Sequence, residues 1–117
     1  MNKVCLYGRV ADEPHFGIVE KNGFRYCAIL LELDVNRKDL PTIFVPVLMY
    51  GEMAETAARI ITEGYHLGVE GRLGLDEYKG QKRLTVIATR LSVEEAENNI
   101  AARMIHEMRR KRKKEGK

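Results

Sequence analysis

The chain has 117 residues, 44% hydrophobic and 32% charged, which is one small soluble globular domain with a short extension and excludes fibrous and disordered classes. No apolar run approaches the ~20 residues of a membrane span, and no apolar core precedes a small-residue cleavage site at the N-terminus, so a cytoplasmic location is expected. The net charge of +3 is uneven: residues 1–91 hold 12 Lys+Arg and 12 Asp+Glu, residues 92–117 hold 8 basic and 5 acidic, and Arg109–Lys114 is an unbroken basic run, which points to a polyanion partner, nucleic acid first.

Residues 3–10 alternate, Val4, Leu6 and Val10 against Lys3, Tyr7 and Arg9, and predict a half-buried strand. Asp12–Gly17 contains Pro14 and reads as a loop; Lys21-Asn22-Gly23 is a turn signal. Residues 24–35 predict a long strand with Cys27, Ile29, Leu31, Leu33 and Val35 on one parity. A charged loop over 36–41 follows. Thr42–Tyr50 is a third strand, with Val45, Val47 and Met49 opposite to Phe44, Pro46, Leu48 and Tyr50. Pro46 lacks an N–H, which places it at an edge or a bulge. Over Glu52–Glu63 the period lengthens. Met53, Ala57, Ile60 and Ile61 form the apolar stripe of a short helix, and Gly64 is its terminating residue.

Tyr65–Tyr78 alternates again. Leu67, Val69, Leu73 and Leu75 are expected inside, and His66, Glu70, Arg72, Asp76 and Tyr78 outside, with Gly68, Gly71 and Gly74 relaxing the strand where a barrel bends. Residues 79–82 are a hairpin turn and Arg83–Leu91 is the fifth strand. Ser92-Val93-Glu94-Glu95 fits a capping box, opening a last helix with Val93, Ala96, Ile100, Ala101, Met104, Ile105 and Met108 at helical spacing. Five strands with one helix between the third and fourth is the order of an OB-fold barrel. The domain division expected is a barrel over 1–91 and a helix with a basic end over 92–117.

Enzyme chemistry has little to work with. Ser92 is the only serine, the three histidines are far apart, and phosphate-loop, dinucleotide and H-E-x-x-H motifs are missing. No paired carboxylates near a histidine have metal-ligand spacing, so neither a nuclease nor a cofactor is expected. Cys5 and Cys27 lie in apolar runs and read as two buried free thiols.

Four segments carry a resemblance: the opening Met-Asn-Lys-Val-Cys-Leu-Tyr-Gly-Arg-Val, then residues 47–55 from Val47-Leu48-Met49-Tyr50-Gly51 to Glu55, residues 64–73, and Gly80-Gln81-Lys82-Arg83. In this order and approximate spacing they resemble the bacterial single-stranded DNA-binding (SSB) family. The resemblance implies a non-catalytic protein that coats single strands in replication, recombination or plasmid transfer, as a homo-oligomer, usually a tetramer with a dimer as alternative. The short chain and basic tail suggest a phage, plasmid or mobile-element member. The family's stacking positions fall on Phe44, Tyr50 and Tyr78; with no Trp in the chain, Tyr and Phe must supply the flat surfaces on which bases stack. Arg72, Lys79, Lys82 and Arg83 gather around Tyr78 in one hairpin and are the first cations expected on phosphate, followed by Arg37, Lys38 and Lys3. Typical members recruit replication proteins through an acidic tail tip. Here the tail is basic, and reads as a packed helix, a further nucleic-acid contact, or both. A primosomal accessory protein and an OB-fold RNA or tRNA binder are the alternative readings.

Overall fold

Strand parity decides which side chains enter the barrel. The computed structural model describes residues 1–33, 38–93 and 97–115, in the order β1 (Val4–Val10), β2 (His15–Ile18), β3 (Arg25–Leu33), β4 (Ile43–Tyr50), α1 (Gly51–Ile60), β5 (His66–Tyr78), β6 (Gln81–Val93) and α2 (Glu97–Glu115). The sheet runs β1-β5-β6-β4-β3-β2, and a further β1–β3 pairing closes the five longer strands into a ring. The chain is therefore mainly β, a five-stranded OB-fold barrel with α1 between β4 and β5 and a C-terminal helix, as the sequence predicts. Cys27, Ile29 and Leu31 of β3, Val47 and Met49 of β4, Leu67 and Val69 of β5 and Val86 of β6 fill its interior. Ala54 and Ala57 of α1, with Ile61 and Tyr65 after it, join the same core.

Several local expectations change. The stretch read as a loop contains β2, which pairs Phe16 with Cys27 and Ile18 with Arg25; four residues are too few for periodicity to show. Helix α1 ends at Ile60, because Ile61 turns extended (φ −95, ψ 128) and buries its side chain. Ala54 is buried and Ile60 exposed, a shift of the expected stripe. Gly64 does not end the helix. At φ +93 it shapes the next turn, where its N–H donates to the Val10 carbonyl.

Pro46 sits on a central strand between β3 and β6, not at an edge. The parallel β4–β6 pairing is confined to Val47↔Val86 and Leu48↔Ile87, just beyond Pro46. This parallel ladder stops short of Pro46, so no N–H is needed there, and its carbonyl is satisfied by the Thr85 hydroxyl, which donates to it at 2.9 Å.

Leu73 and Leu75 are exposed, contrary to their parity. β1 accompanies β5 only as far as the Val4↔Gly71 pair. Beyond it β5 and β6 continue as a two-stranded arm, pairing Leu75 with Leu84 and Tyr78 with Gln81, and the inward parity has nothing to face. The arm turns through Lys79 (φ 51) and Gly80 (φ 78), a two-residue turn with both central residues at positive φ that matches strand twist. At its base Gly71 has no room for a side chain, since a Cβ would run into the Ile87 carbonyl.

β6 runs through Val93, and Ser92 pairs with Gly68 in the ladder. Ser92 therefore does not cap a helix; residues 94–96, which include Glu94, Glu95 and Ala96, lie outside the described residues. Cys5 is exposed and only Cys27 is buried; both are free. Cys5 shares the outward parity of Tyr7, so the apolar run around it misleads.

Helix α2 lies on the barrel through Ala102, which packs against the core, and otherwise through polar groups. Asn99, 2% exposed, accepts from the His66 N–H at 2.5 Å and donates to the His66 carbonyl at 3.0 Å. Arg103 donates to the Tyr65 hydroxyl at 2.6 Å. His106 Nδ1 lies 3.1 Å from Glu13, and Arg109 lies 3.4 Å from Glu63.

Candidate nucleic-acid interface

The parity that sends Cys27, Ile29, Val47 and Met49 inward turns their neighbours outward. Cross-strand pairs Tyr26↔Tyr50, Ala28↔Leu48, Leu30↔Pro46 and Glu32↔Phe44 give β3 and β4 an outer face that is mostly apolar. The arm of β5 and β6 borders this face, and together they enclose a cleft of about 720 Å³ whose lining includes Tyr26, Leu30, Pro46, Leu48, Tyr50 and Tyr78. Tyr50 and Tyr78 are 43% and 52% exposed, enough for a planar ligand to reach their rings.

Arg83 is the cation built into the cleft. Its guanidinium carbon lies 4.5 Å from the Tyr78 ring centroid and its Nη2 3.5 Å from Asp76. Cation–π contact at an exposed site contributes about 0.5–1 kcal/mol, enough to bias the arm's rotamers without locking them. Arg83 Nε is buried with no acceptor among the described residues, so only the outer nitrogens of this partly exposed guanidinium can reach a ligand. Lys79 Nζ lies 5.3 Å from the same ring.

The structure thus brings together three of the residues expected from sequence, Tyr50, Tyr78 and Arg83. Phe44, 50% exposed, continues the same face six residues from Tyr50, about 20 Å along the strand, outside the cleft lining. Arg72 shares the outward parity of Tyr78 nearer the barrel. Lys82 pairs with Glu77 on the opposite face of the arm from Tyr78. Lys3 precedes β1 and is exposed, as is Lys38; Arg37 lies outside the described residues.

Two cleft residues were missed. Tyr26 is not among the stacking positions that the family resemblance implies, yet its parity, opposite to Cys27 and Ile29, is the signal that places it on this face. His15, its ring centroid 6.2 Å from that of Tyr26, could not be found while β2 read as a loop. Asp12, Glu13, Asp76 and Glu77 also line the cleft. Acidic residues outnumber Arg83 and His15 in the lining, which favours uncharged ring faces in the cleft and leaves phosphate to the exposed cations outside it.

Among the described residues no group of three or more His, Cys, Asp or Glu is placed to hold a metal ion, and no helix is long and apolar enough to cross a membrane. The profile of the single-strand binding protein family matches residues 1–99. The chain belongs to that family. Single-stranded DNA-binding protein 1 of Clostridium acetobutylicum is 35% identical over 85 residues, 68% of this chain and 76% of the relative. A thylakoid-associated single-stranded DNA-binding protein of Synechocystis is 30% identical over 105 residues, covering 86% and 81%. The crystal structure of wild-type single-stranded DNA binding protein from Thermus aquaticus superposes with a TM-score of 0.68 at 26% identity. That match covers 82% of this chain but 41% of the Thermus chain, so this chain spans less than half that protein's length. The SSB family match stops at Asn99, and most of α2 lies beyond it.

Proposed function

We propose that this SSB-family chain binds and protects single-stranded DNA, without catalysis and with little sequence preference, in replication, recombination, repair or transfer. The observation that carries this is the cleft in which Tyr26, Tyr50 and Tyr78 converge with Arg83 on an apolar strand face. Base–aromatic stacking tolerates any sequence because every base has a π face. In this reading Tyr50 and Tyr78 are stacking platforms, Phe44 takes a base further along the strand, and Arg83 donates to a base oxygen. Arg72, Lys79, Lys82, Lys38, Arg37 and Lys3 follow the backbone. The binding domain is the barrel of residues 1–91; residues 92–117 are an appended unit, with Ser92 and Val93 completing the last strand. The relatives named for single-stranded DNA binding support this reading. The protein works in the cytoplasm as a homo-oligomer, a tetramer by family likeness with a dimer as the alternative; its basic run Arg109–Lys114 stands in contrast to the acidic tip through which typical members recruit replication proteins.

The test is a competition between poly(dT), duplex DNA and structured RNA for a labelled oligonucleotide. Poly(dT) should compete best by at least tenfold. Equal competition by duplex DNA, or a preference for structured RNA, would remove the proposal in favour of a general polyanion binder or an RNA module.

A further inference from the structure

Helix α2 is amphipathic in the reverse of the usual sense. A surface helix normally buries its apolar stripe and leaves polar residues to solvent. Here Asn99, Arg103, His106 and Arg109 hold the helix to the barrel, while Ile100, Met104, Ile105 and Met108 are 43%, 59%, 51% and 56% exposed. The polar contacts fix the rotation of the helix, so the stripe cannot turn inward without breaking them.

From this we infer that the outward stripe of α2 packs antiparallel against the same helix of a second copy, about a two-fold axis passing near Met104. Charge identifies the occupant. The sequence entering the helix is acidic, with Glu94 and Glu95 just ahead of Glu97, and the sequence leaving it is basic, Arg109–Lys114. A parallel pair would set basic run against basic run. With Met104 opposite Met104, an antiparallel pair sets Ile100 opposite Met108 and the Glu97 position opposite Lys111. The line of closest approach then sets apolar Ile100, Met104 and Met108 against one another and acid against base at its ends, while Ile105 lies to one side of it. A two-fold axis perpendicular to the helix produces this geometry from identical chains. The stripe has no aromatic ring, so it is a poor platform for bases. Two helices meeting over three turns fall well short of a standard interface of about 1,600 Å². The seam alone is therefore a modest contact, and its disruption should weaken self-association rather than unfold the chain. The inference deepens the homo-oligomer reading and is independent of the DNA site.

Symmetric disulfide mapping tests it, using the full chain in a Cys5→Ser background so that the exposed native thiol does not interfere. Met104→Cys should oxidise to a covalent dimer. Ile100→Cys and Met108→Cys should each do so poorly alone, yet crosslink when mixed. Met104→Glu with Met108→Glu should weaken self-association at least tenfold by sedimentation while poly(dT) binding persists. A parallel arrangement, seen as efficient Ile100→Cys self-crosslinking, overturns the proposal. So does the absence of any crosslink in a chain that sediments as an oligomer, or co-flotation of the wild type with anionic vesicles in place of crosslinking. A wild type that sediments as a monomer would instead sink the homo-oligomer reading itself, with the DNA assay untouched.

Discussion

Two regions of this molecule show regular apolar patterns, and they use them in opposite ways. In β3 and β4 the residues on the core parity are buried, and the alternate face forms an aromatic-lined cleft. In α2 the apolar stripe faces outward and the polar residues make most of the attachment. A strand in a closed barrel has its inward face assigned by the ring, because neighbours on both sides share one interior. A helix appended to a finished barrel has no such constraint and docks by whichever face finds partners. Asn99 finds them at the start of β5, where its side-chain amide bonds both the N–H and the C=O of His66. Periodicity thus reveals that a face exists; closure of the fold decides where it points.

The sharpest way to break this contrast is thiol chemistry. Burial pushes the Cys27 thiol up from 9.0 to about 11, so at pH 8 only about one in a thousand is the reactive thiolate, whereas Cys5 stands on the outer parity of β1. One thiol per native chain should react promptly with an alkylating reagent and the second only on unfolding. Raising the pH toward 11 should increase the ionised fraction of Cys27. Two equally fast thiols would show that β3 does not present its core parity inward.

Next in size is the cleft. Tyr78→Ala should weaken oligo(dT) binding by about 1–3 kcal/mol, and Tyr78→Phe should bind nearly as wild type, since the ring is the working part. Fluorescence titration reads both, and wild-type affinity in a folded Tyr78→Ala chain would take the platform away from the arm.

The smallest effect belongs to the polar anchor. Asn99→Ala leaves two backbone groups of His66 without their partner, at about 1–2 kcal/mol. The expectation is faster amide exchange along α2, with oligo(dT) affinity within twofold of wild type. If exchange in α2 is unaltered, the helix is held by something other than Asn99.

How far the sequence could be read follows from the same contrast. Barrel order, the long strands and the outward parity of Phe44, Tyr50 and Tyr78 were legible because two-residue alternation and closure agree. Leu73 and Leu75 misled because the β5–β6 arm outruns β1, a tertiary fact with no local signal. Pro46 misled because the parallel ladder stops short of it and a Thr85 hydroxyl from 39 residues away satisfies its carbonyl. Ser92 misled because a capping pattern is short and β6 happened to continue through it. Tyr26 was within reach by parity alone, and its place in the cleft depends on the strand pairing that sets it beside Tyr50.

The short parallel seam between β4 and β6 has a consequence for how the chain reaches its native state. The β5–β6 hairpin is local, joined by a two-residue turn, and such hairpins form in about 1–10 μs. The seam joins residues 39 apart, with the intervening helix and strand to be placed before it can close, and ladder bonding there is brief. Its closure entropy is spent late and returned mostly through packing of Val47 against Val86. The barrel should therefore assemble as a curved open sheet that zips shut at β4 and β6 last. Spontaneous opening should begin at that same line, alongside the cleft.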